Sequence, residues 1–313
     1  MGTELISLPT WRAGYRMSNK IKVAVLGTGN IGTDLAERIL LDPGFELVSL
    51  VGRRKDSPGL LRFEGRVKNL IHEGIDGLLE LTEDFHGVFD ATSAFDHLSH
   101  WEKLNARGKW AIDLTPSRLG LPFVPVLANR VPSMKIQKNS SANYSMVTCG
   151  GQSSAPMLFA LAAAARNIKE VEVSSSIAAL SAGPATRRNI DQYVQSTEDL
   201  IINITGCNNV KAILVLNPAE PPVMMRTTVQ MRVGSFDQEF AVETLNQISA
   251  TVSSYVPGYQ VVVKPLMRDD FVVTATAKVT GAGYFLPEYA GNLDIINAAA
   301  VETARLHVSE IMR

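Results

Sequence analysis

The sequence predicts an α/β fold: a parallel sheet flanked by helices, joined to a second domain built on an antiparallel or mixed sheet. Three observations carry this. Short apolar runs alternate with helical periodicity through the first half of the chain, the pattern of a parallel sheet with crossover helices. The first run ends in Gly27-Thr28-Gly29-Asn30-Ile31-Gly32, a glycine pattern that opens a helix. Beyond Cys149 strand-like runs follow one another with few crossovers, which suits a sheet that is not all parallel.

Ile21–Leu26 is apolar and bounded by glycine, as a buried parallel strand is. Thr33–Leu41 has Leu35, Ile39 and Leu40 at helical spacing, and Glu46–Val51 is a second strand. Gly77–Leu81 reads as helix, and Val88–Ala91 and Trp110–Leu114 as strands followed by turn-rich loops. Ser133–Tyr144 is polar and aperiodic, hence a loop leading to Cys149. Ser153, Ser154 and Pro156 suit the cap and first turn of the apolar helix that follows. Strands are then expected at Val171–Ala179, Ala212–Leu216, Thr227–Val233, Gln238–Ala241, Gln260–Lys264 and Phe271–Val279. Helices are expected at Asn189–Ile204, at Glu243–Tyr255 and, last, at Asn292–Ile311. The change of texture puts a domain boundary near Cys149.

Composition limits what the chain can do. It has 313 residues, 46% hydrophobic and 19% charged, enough for two globular domains. A net charge of −1 argues against a nucleic-acid partner. Two cysteines make neither a disulfide framework nor a structural zinc site, so an intracellular, cytoplasmic protein without a metal is expected. The longest apolar run, near Met157–Ala165, is far too short for a membrane span. Residues 1–17 lack the apolar core of a signal peptide and read as an extension, with Met17-Ser18-Asn19-Lys20 resembling a natural start.

Gly27-Thr28-Gly29-Asn30-Ile31-Gly32 is G-x-G-x-x-G between a strand and a helix, the context in which that pattern binds a dinucleotide. Gly27 permits the tight turn, Gly29 lets backbone approach a pyrophosphate, and Gly32 lets helix and strand pack. The phosphates then meet the helix N-terminus. A carboxylate roughly 20 residues on would bind a free ribose 2′-hydroxyl. Gly52-Arg53-Arg54-Lys55 stands there instead, with Asp56 just beyond. Guanidinium groups bind phosphate bidentately, so NADP(H) is the preferred cofactor, with NAD as the alternative.

Cys149, in Met146-Val147-Thr148-Cys149-Gly150-Gly151-Gln152, stands at a helix start, where the helix dipole favours thiolate. Gly150 and Gly151 leave backbone N–H groups able to reach a reacting carbonyl beside the sulfur. A cysteine nucleophile next to a nicotinamide implies hydride transfer through a covalent thiohemiacetal or thioester. The alternative is a small buried cysteine beside a tight turn. The five histidines are His72, His86, His97, His100 and His307, so none lies between Cys149 and Leu306. Activation must then come from the dipole, from backbone N–H groups, or from Arg187, Arg188 or Arg226. His97 and His100 read as surface or packing residues, and Cys207 as inert. Ser181-Ala182-Gly183-Pro184-Ala185-Thr186-Arg187 is a second glycine loop. It either brings backbone close to the nicotinamide or is a capping segment ending in Thr186. Glu220, in the turn Asn217–Pro222, is a structural residue or a buried acid.

With these motifs in hand, the chain resembles the acylating, CoA-dependent acetaldehyde dehydrogenases. The resemblance rests on Gly27–Leu35, Phe89-Asp90-Ala91-Thr92-Ser93, Ile112-Asp113-Leu114-Thr115-Pro116, Met146–Gln152, Ser181–Pro184, Asn217–Pro222 and Ala290-Gly291-Asn292-Leu293-Asp294-Ile295. It implies a Rossmann domain (18–148 with 290–313, the last helix returning to it) and an α+β catalytic and dimerisation domain (149–289). It implies an acyl-thioester at Cys149, flanked by Gly150, Gly151 and Gln152. Cofactor contacts are implied at Thr28–Ile31, Ser93, Ser181, Ala182, Gly183, Pro184 and Asn292, and the assembly as a homodimer. Three departures stand out. NAD-linked relatives carry an acid near Arg54. Many carry an aspartate where Thr227 follows Arg226. The stretch from Pro257 to Pro287 is shorter than in relatives and Ser133–Tyr144 longer, which argues against the aldolase partnership many relatives have. The expected activity is NADPH-dependent interconversion of a CoA or carrier-protein thioester and an aldehyde. An acyl-phosphate semialdehyde dehydrogenase or a non-catalytic cofactor-binding homologue are the alternatives.

Overall fold

Residues 20–268 and 270–312 are described by a computed structural model of the protein. The expected extension 1–17 and the start at Met17 lie outside the described residues. The first half runs β1 (Ile21–Leu26), α1 (Asn30–Leu41), β2 (Phe45–Val51), α2 (Pro58–Leu61), β3 (Asn69–Ile71), α3 (Gly74–Leu79), β4 (Gly87–Asp90), α4 (Ala94–Asn105), β5 (Trp110–Asp113), β6 (Leu121–Phe123) and β7 (Asn143–Met146). Next come α5 (Cys149–Ala164), β8 (Ala165–Arg166), β9 (Glu170–Ala178), α6 (Pro184–Arg188), α7 (Ile190–Thr205), β10 (Val210–Asn217), β11 (Met225–Arg232), β12 (Ser235–Phe236) and α8 (Gln238–Tyr255). The chain closes with β13 (Tyr259–Met267), β14 (Val272–Val279) and α9 (Gly291–Ile311).

Seven strands form one parallel sheet in the order β3-β2-β1-β4-β5-β7-β6. The order reverses between β1 and β4, so the turn after β1 opens into the crevice where such sheets bind ligands. Strand β1 is apolar because both its faces are covered: Val23, Ala24, Val25 and Leu26 are all buried. Two glycines are sterically compelled here. Gly27 has φ of 101°, and a Cβ on Gly32 would lie 2.0 Å from the Gly27 carbonyl oxygen.

A second sheet, β10-β9-β11-β14-β13, is parallel only between β10 and β9. Its strands alternate cleanly. Val171, Val173 and Ile177 of β9, Val229 and Met231 of β11, and Val273, Ala275 and Ala277 of β14 are buried on one face. Ser174, Thr228 and Thr276 stand on the other and are only half-buried. Helices α5, α7 and α8 cover the apolar face. Helix α5 is apolar all round, because it lies in the centre, touching α7, α8, α9 and the sheet.

Helix α9 returns to the first sheet, packing on α1, β5 and β7. Polar ties fix it there. Arg38 of α1 pairs with Asp294 in a buried ion pair. Asn297 Nδ2 donates to Asp34 Oδ2 at 2.9 Å, and Asp34 Oδ1 accepts from the backbone N–H of Phe285 and Leu286 at 3.2 and 3.1 Å.

Several local expectations need correction. Gln238–Ala241 is not a strand but the first turn of α8, started by the Asp237 carboxylate accepting from Phe240 N at 3.0 Å. Helix α5 begins at Cys149, capped by Thr148, so Ser153, Ser154 and Pro156 sit inside it and not at its cap. The stretch 133–144 is a loop only until Asn143, where β7 begins. No helix among the described residues is long and apolar enough to cross a membrane.

Candidate active site

The glycine turn forms one wall of a cavity of about 480 Å³, together with Gly52, Arg53, Arg54 and Ser57. Gly29 is the N-cap of α1, whose first turn carries no acid. A Cβ on Gly29 would meet nothing within 4 Å, so the backbone is open there to a phosphate. Asn30 and Ile31 begin α1, and Thr28 Oγ1 bonds Ser57 Oγ at 2.8 Å across the mouth. Both arginines already face acids. Arg54 grips Asp56 through two 3.0 Å bonds, and Arg53 reaches Asp96 Oδ2 at 3.4 Å. Their side chains are 72% and 78% exposed, so these pairs are weak and exchangeable.

Beneath this crevice the motifs after β4 and β5 have the same construction. Asp90 Oδ1 accepts from Thr92 N at 3.0 Å, and Asp113 Oδ1 from Thr115 N at 2.8 Å. Asp90 Oδ2 also meets His97 Nδ1 at 2.9 Å and His100 Nδ1 at 2.8 Å. Burial works against the Asp90 charge, but the bonds from His100 and His97 outweigh it and hold the carboxyl well below its ordinary value. Burial also opposes charge on His97; the Asp90 bond overcomes it and raises the imidazole. His97 is thus a packing residue of an ion-paired kind, while His100 reaches the cavity wall. Ser93 caps α4, accepting from Asp96 N at 3.2 Å and donating to Asp96 Oδ2 at 2.7 Å.

Cys149 is the first residue of α5 and is 7% exposed. The thiolate expected from the helix dipole is not what the site dictates: burial pushes the thiol up to about 11. The Tyr193 hydroxyl and the backbone N–H groups of Gly150 and Cys149 pull the other way and do not overcome it. Two of the expected cations are directed elsewhere. Arg187 spends its guanidinium on the carbonyls of Ala182 and Ala179, at 3.0 and 2.9 Å. Arg226 is exposed, facing away from its buried neighbours Met225 and Thr227. Gly151 N, expected to face a reacting carbonyl, is instead taken by Thr148 Oγ1 at 2.9 Å. Gln152 Nε2 donates to the Phe123 carbonyl at 2.9 Å, tying α5 to β6.

Around the sulfur the structure gathers residues the sequence did not single out. A Cβ on Gly150 would lie 2.0 Å from the Tyr193 hydroxyl and 2.6 Å from Ser175 Oγ. Ser175 Oγ in turn bonds the buried Thr227 Oγ1 at 3.1 Å. Thr148 was legible as a cap, a threonine three residues before the N–H it accepts. Tyr193 was not, since only the packing of α7 on α5 brings it there.

In the second glycine loop, Ser181 Oγ donates to the Ala178 carbonyl at 2.8 Å, and Ala182 is buried. Gly183 leads into α6, which Pro184 opens; Thr186 lies inside that helix and does not cap it. Asn292 is buried in the first turn of α9, and its Oδ1 has no hydrogen-bond partner among the described residues. Glu220 is exposed, so it is no buried acid. Cys207 is buried, its sulfur 3.5 Å from the Asn209 carbonyl. No group of three metal-ligating side chains converges among the described residues.

The doubly wound sheet with a glycine turn at its switch point, joined to a mixed sheet, is a fold shared with a solved structure. Aspartate semialdehyde dehydrogenase II from Vibrio cholerae superposes with a TM-score of 0.61 over 93% of this chain and 99% of that one, at 15% identity. A family model described as prokaryotic acetaldehyde dehydrogenase, dimerisation, matches residues 149–287. Acetaldehyde dehydrogenases from Pectobacterium atrosepticum and Carboxydothermus hydrogenoformans are 38% and 42% identical to this chain, over 93% and 92% of its length and 96% and 93% of theirs. The chain belongs to the acetaldehyde dehydrogenase family.

Proposed function

We propose that this protein is an acylating aldehyde dehydrogenase that prefers NADPH. Cys149 attacks a thioester of CoA or of a carrier protein, and an aldehyde is released. The observation that carries this reading is Cys149 itself, at the first position of α5, inside the segment matched by the acetaldehyde dehydrogenase family. The residues fit a dinucleotide. Gly29 leaves the phosphate cradle open, and the buried Asn292 oxygen lacks a donor among the described residues. Gly27–Gly32, Arg53, Arg54, Ser93, the loop from Ser181 to Pro184, and Asn292 would hold it. When bound, it supplies the hydride that takes the enzyme thioester to the aldehyde level.

The protein supplies the rest. Cys149, its proton passed to solvent, forms the new carbon–sulfur bond and expels the substrate thiolate. Gly150 N remains to stabilise the oxyanion beside the sulfur, Gly151 N being bonded to Thr148. We assign residues 18–148 with 290–313 to cofactor binding and 149–289 to catalysis and dimerisation. The half-buried face of the mixed sheet suits a homodimer contact.

The first test follows NADPH and NADH oxidation with a panel of acyl-CoA thioesters. Faster, acyl-CoA-dependent oxidation of NADPH is expected. Arg54→Ala should raise the KM for NADPH about 10-fold or more, the loss of a charge-assisted bond, and leave that for NADH nearly unchanged. NADH preference in the parent would overturn the cofactor assignment and leave the reaction class standing. Activity that depends on inorganic phosphate and not on CoA would favour an acyl-phosphate enzyme. No histidine lies between Cys149 and Leu306 in the sequence to support that reading. No turnover with any acyl-CoA or acyl phosphate, with NADPH binding retained, would favour a homologue without catalysis.

A further inference from the structure

We propose that Tyr193 is the positioning residue of the Cys149 thiol, its buried hydroxyl donating a hydrogen bond to the sulfur as thiolate develops. This rests on the reading of Cys149 as nucleophile.

The geometry fixes the hydroxyl at the sulfur's own residue pair. It occupies the volume a side chain on Gly150 would need, which is why glycine follows the cysteine. Helix α7 cannot drift from this position. Thr197, one turn on, bonds Thr148 Oγ1 at 2.7 Å and donates to the Tyr193 carbonyl at 2.8 Å. Thr148 is in turn the cap of α5. The two helices are therefore clasped within a turn of the cysteine on one side and of the tyrosine on the other.

The Tyr193 oxygen is buried and makes no aligned hydrogen bond in this state of the protein. Its neighbours are the Cys149 sulfur, Ser175 and the Gly150 N–H. Behind Ser175 stands Thr227, their hydroxyls 3.1 Å apart. The Tyr193 hydroxyl pulls the thiol down, against burial. Burial raises the tyrosine well above its ordinary value, and the neighbouring cysteine raises it further. The phenol therefore keeps its proton at every working pH and serves as a donor, not a base.

The proton balance agrees. The cysteine proton passes to solvent before attack, the Cys149 sulfur–carbon bond replaces the substrate sulfur–carbon bond, the expelled thiolate takes a proton back from solvent, and Tyr193 ends each step as it began. Its contribution is to stabilise sulfur anion between proton loss and bond formation.

The test uses the full chain and its Tyr193→Phe and Ser175→Ala variants. Iodoacetamide alkylation of Cys149 is followed over a pH series by peptide mass spectrometry, which separates it from Cys207. Tyr193→Phe keeps the ring packed and removes the donor. Its alkylation midpoint should rise by about one pH unit, a tenfold loss of thiolate at fixed pH. The kcat with acyl-CoA should fall by about the same factor, with the KM for reduced cofactor unchanged. Ser175→Ala, which removes the hydroxyl polarising the phenol, should move the midpoint the same way by less. It also carries the test if Tyr193→Phe does not fold. A lower melting temperature with an unmoved alkylation midpoint would mean that Tyr193 only packs, and the inference would be wrong. The underlying reading is checked in the same experiment. If acyl-CoA fails to protect Cys149 of the parent from alkylation, it is the nucleophile assignment that falls. If protection is seen and Tyr193→Phe matches the parent, only the role of Tyr193 falls.

Discussion

Replacing Cys149 by alanine is expected to lower acyl-CoA-dependent NADPH oxidation by roughly three orders of magnitude or more, because no other side chain can form the covalent intermediate. Binding of NADPH should be retained. The glycine turn, the arginines and Asp96 all belong to α1, α4 and the loop after β2, none of which contains Cys149. Fluorescence titration of NADPH beside the turnover assay separates the two. The nearest thiol, Cys207, follows α7 beside Asn209 and offers no substitute. Turnover in the alanine variant near the parent rate would sink the covalent mechanism outright. The substitution is mild structurally, since it trims one buried sulfur atom from a cluster of apolar neighbours.

The second large effect concerns stability. Asp90→Asn should destabilise the fold by about 3 kcal/mol near pH 6, the scale for removing one member of a buried ion pair. Asp90 and His97 are both fully buried, and they touch at 2.9 Å. The pH dependence has two limbs. The Asp90 carboxyl is lowered in the fold, so its contribution is present above the unfolded carboxylate value of about 4 and is lost as pH falls through the folded value. The His97 imidazole is raised, so its contribution is complete below its unfolded value of about 6.5 and is lost as pH rises through the folded one. The gap between parent and variant should therefore be widest at about pH 5–6 and narrow on both sides. Urea midpoints measured across that range give the answer. A gap that stays constant with pH would mean that the two groups are not an ion pair.

What could be read from the sequence follows a physical division. The parallel sheet was legible because β1, β2, β4 and β5 are largely buried on both faces and so appear as mostly apolar runs. The glycine turn was legible because Gly27 and Gly32 answer to backbone sterics alone. The last helix was legible from its alanine-rich faces, and its destination came only through resemblance. The first turn of α8 was misread because Gln238–Ala241 is too short to show a period, although Asp237 marks a cap. The acidity of Cys149 was misjudged for a deeper reason. A helix dipole is a local property, whereas the burial that opposes it is conferred by α7, α9 and the sheet around α5. Tyr193 escaped for the same cause. Its distance from Cys149 is set by two helices lying side by side, which no spacing within either one reveals.

The bonds from α1 to the end of the chain bear on synthesis. Arg38 and Asp294 are 256 residues apart in sequence, and Asp34 and Asn297 are 263 apart. A nascent chain emerges from its N-terminus, so the buried Arg38 and Asp34 wait for partners until Asp294 and Asn297 have been made. The parallel sheet is therefore completed only after the mixed sheet has been made. A ribosome stalled before Gly291 would hold a sheet with one flank open, its charged α1 residues unpaired and its apolar strands uncovered on that side.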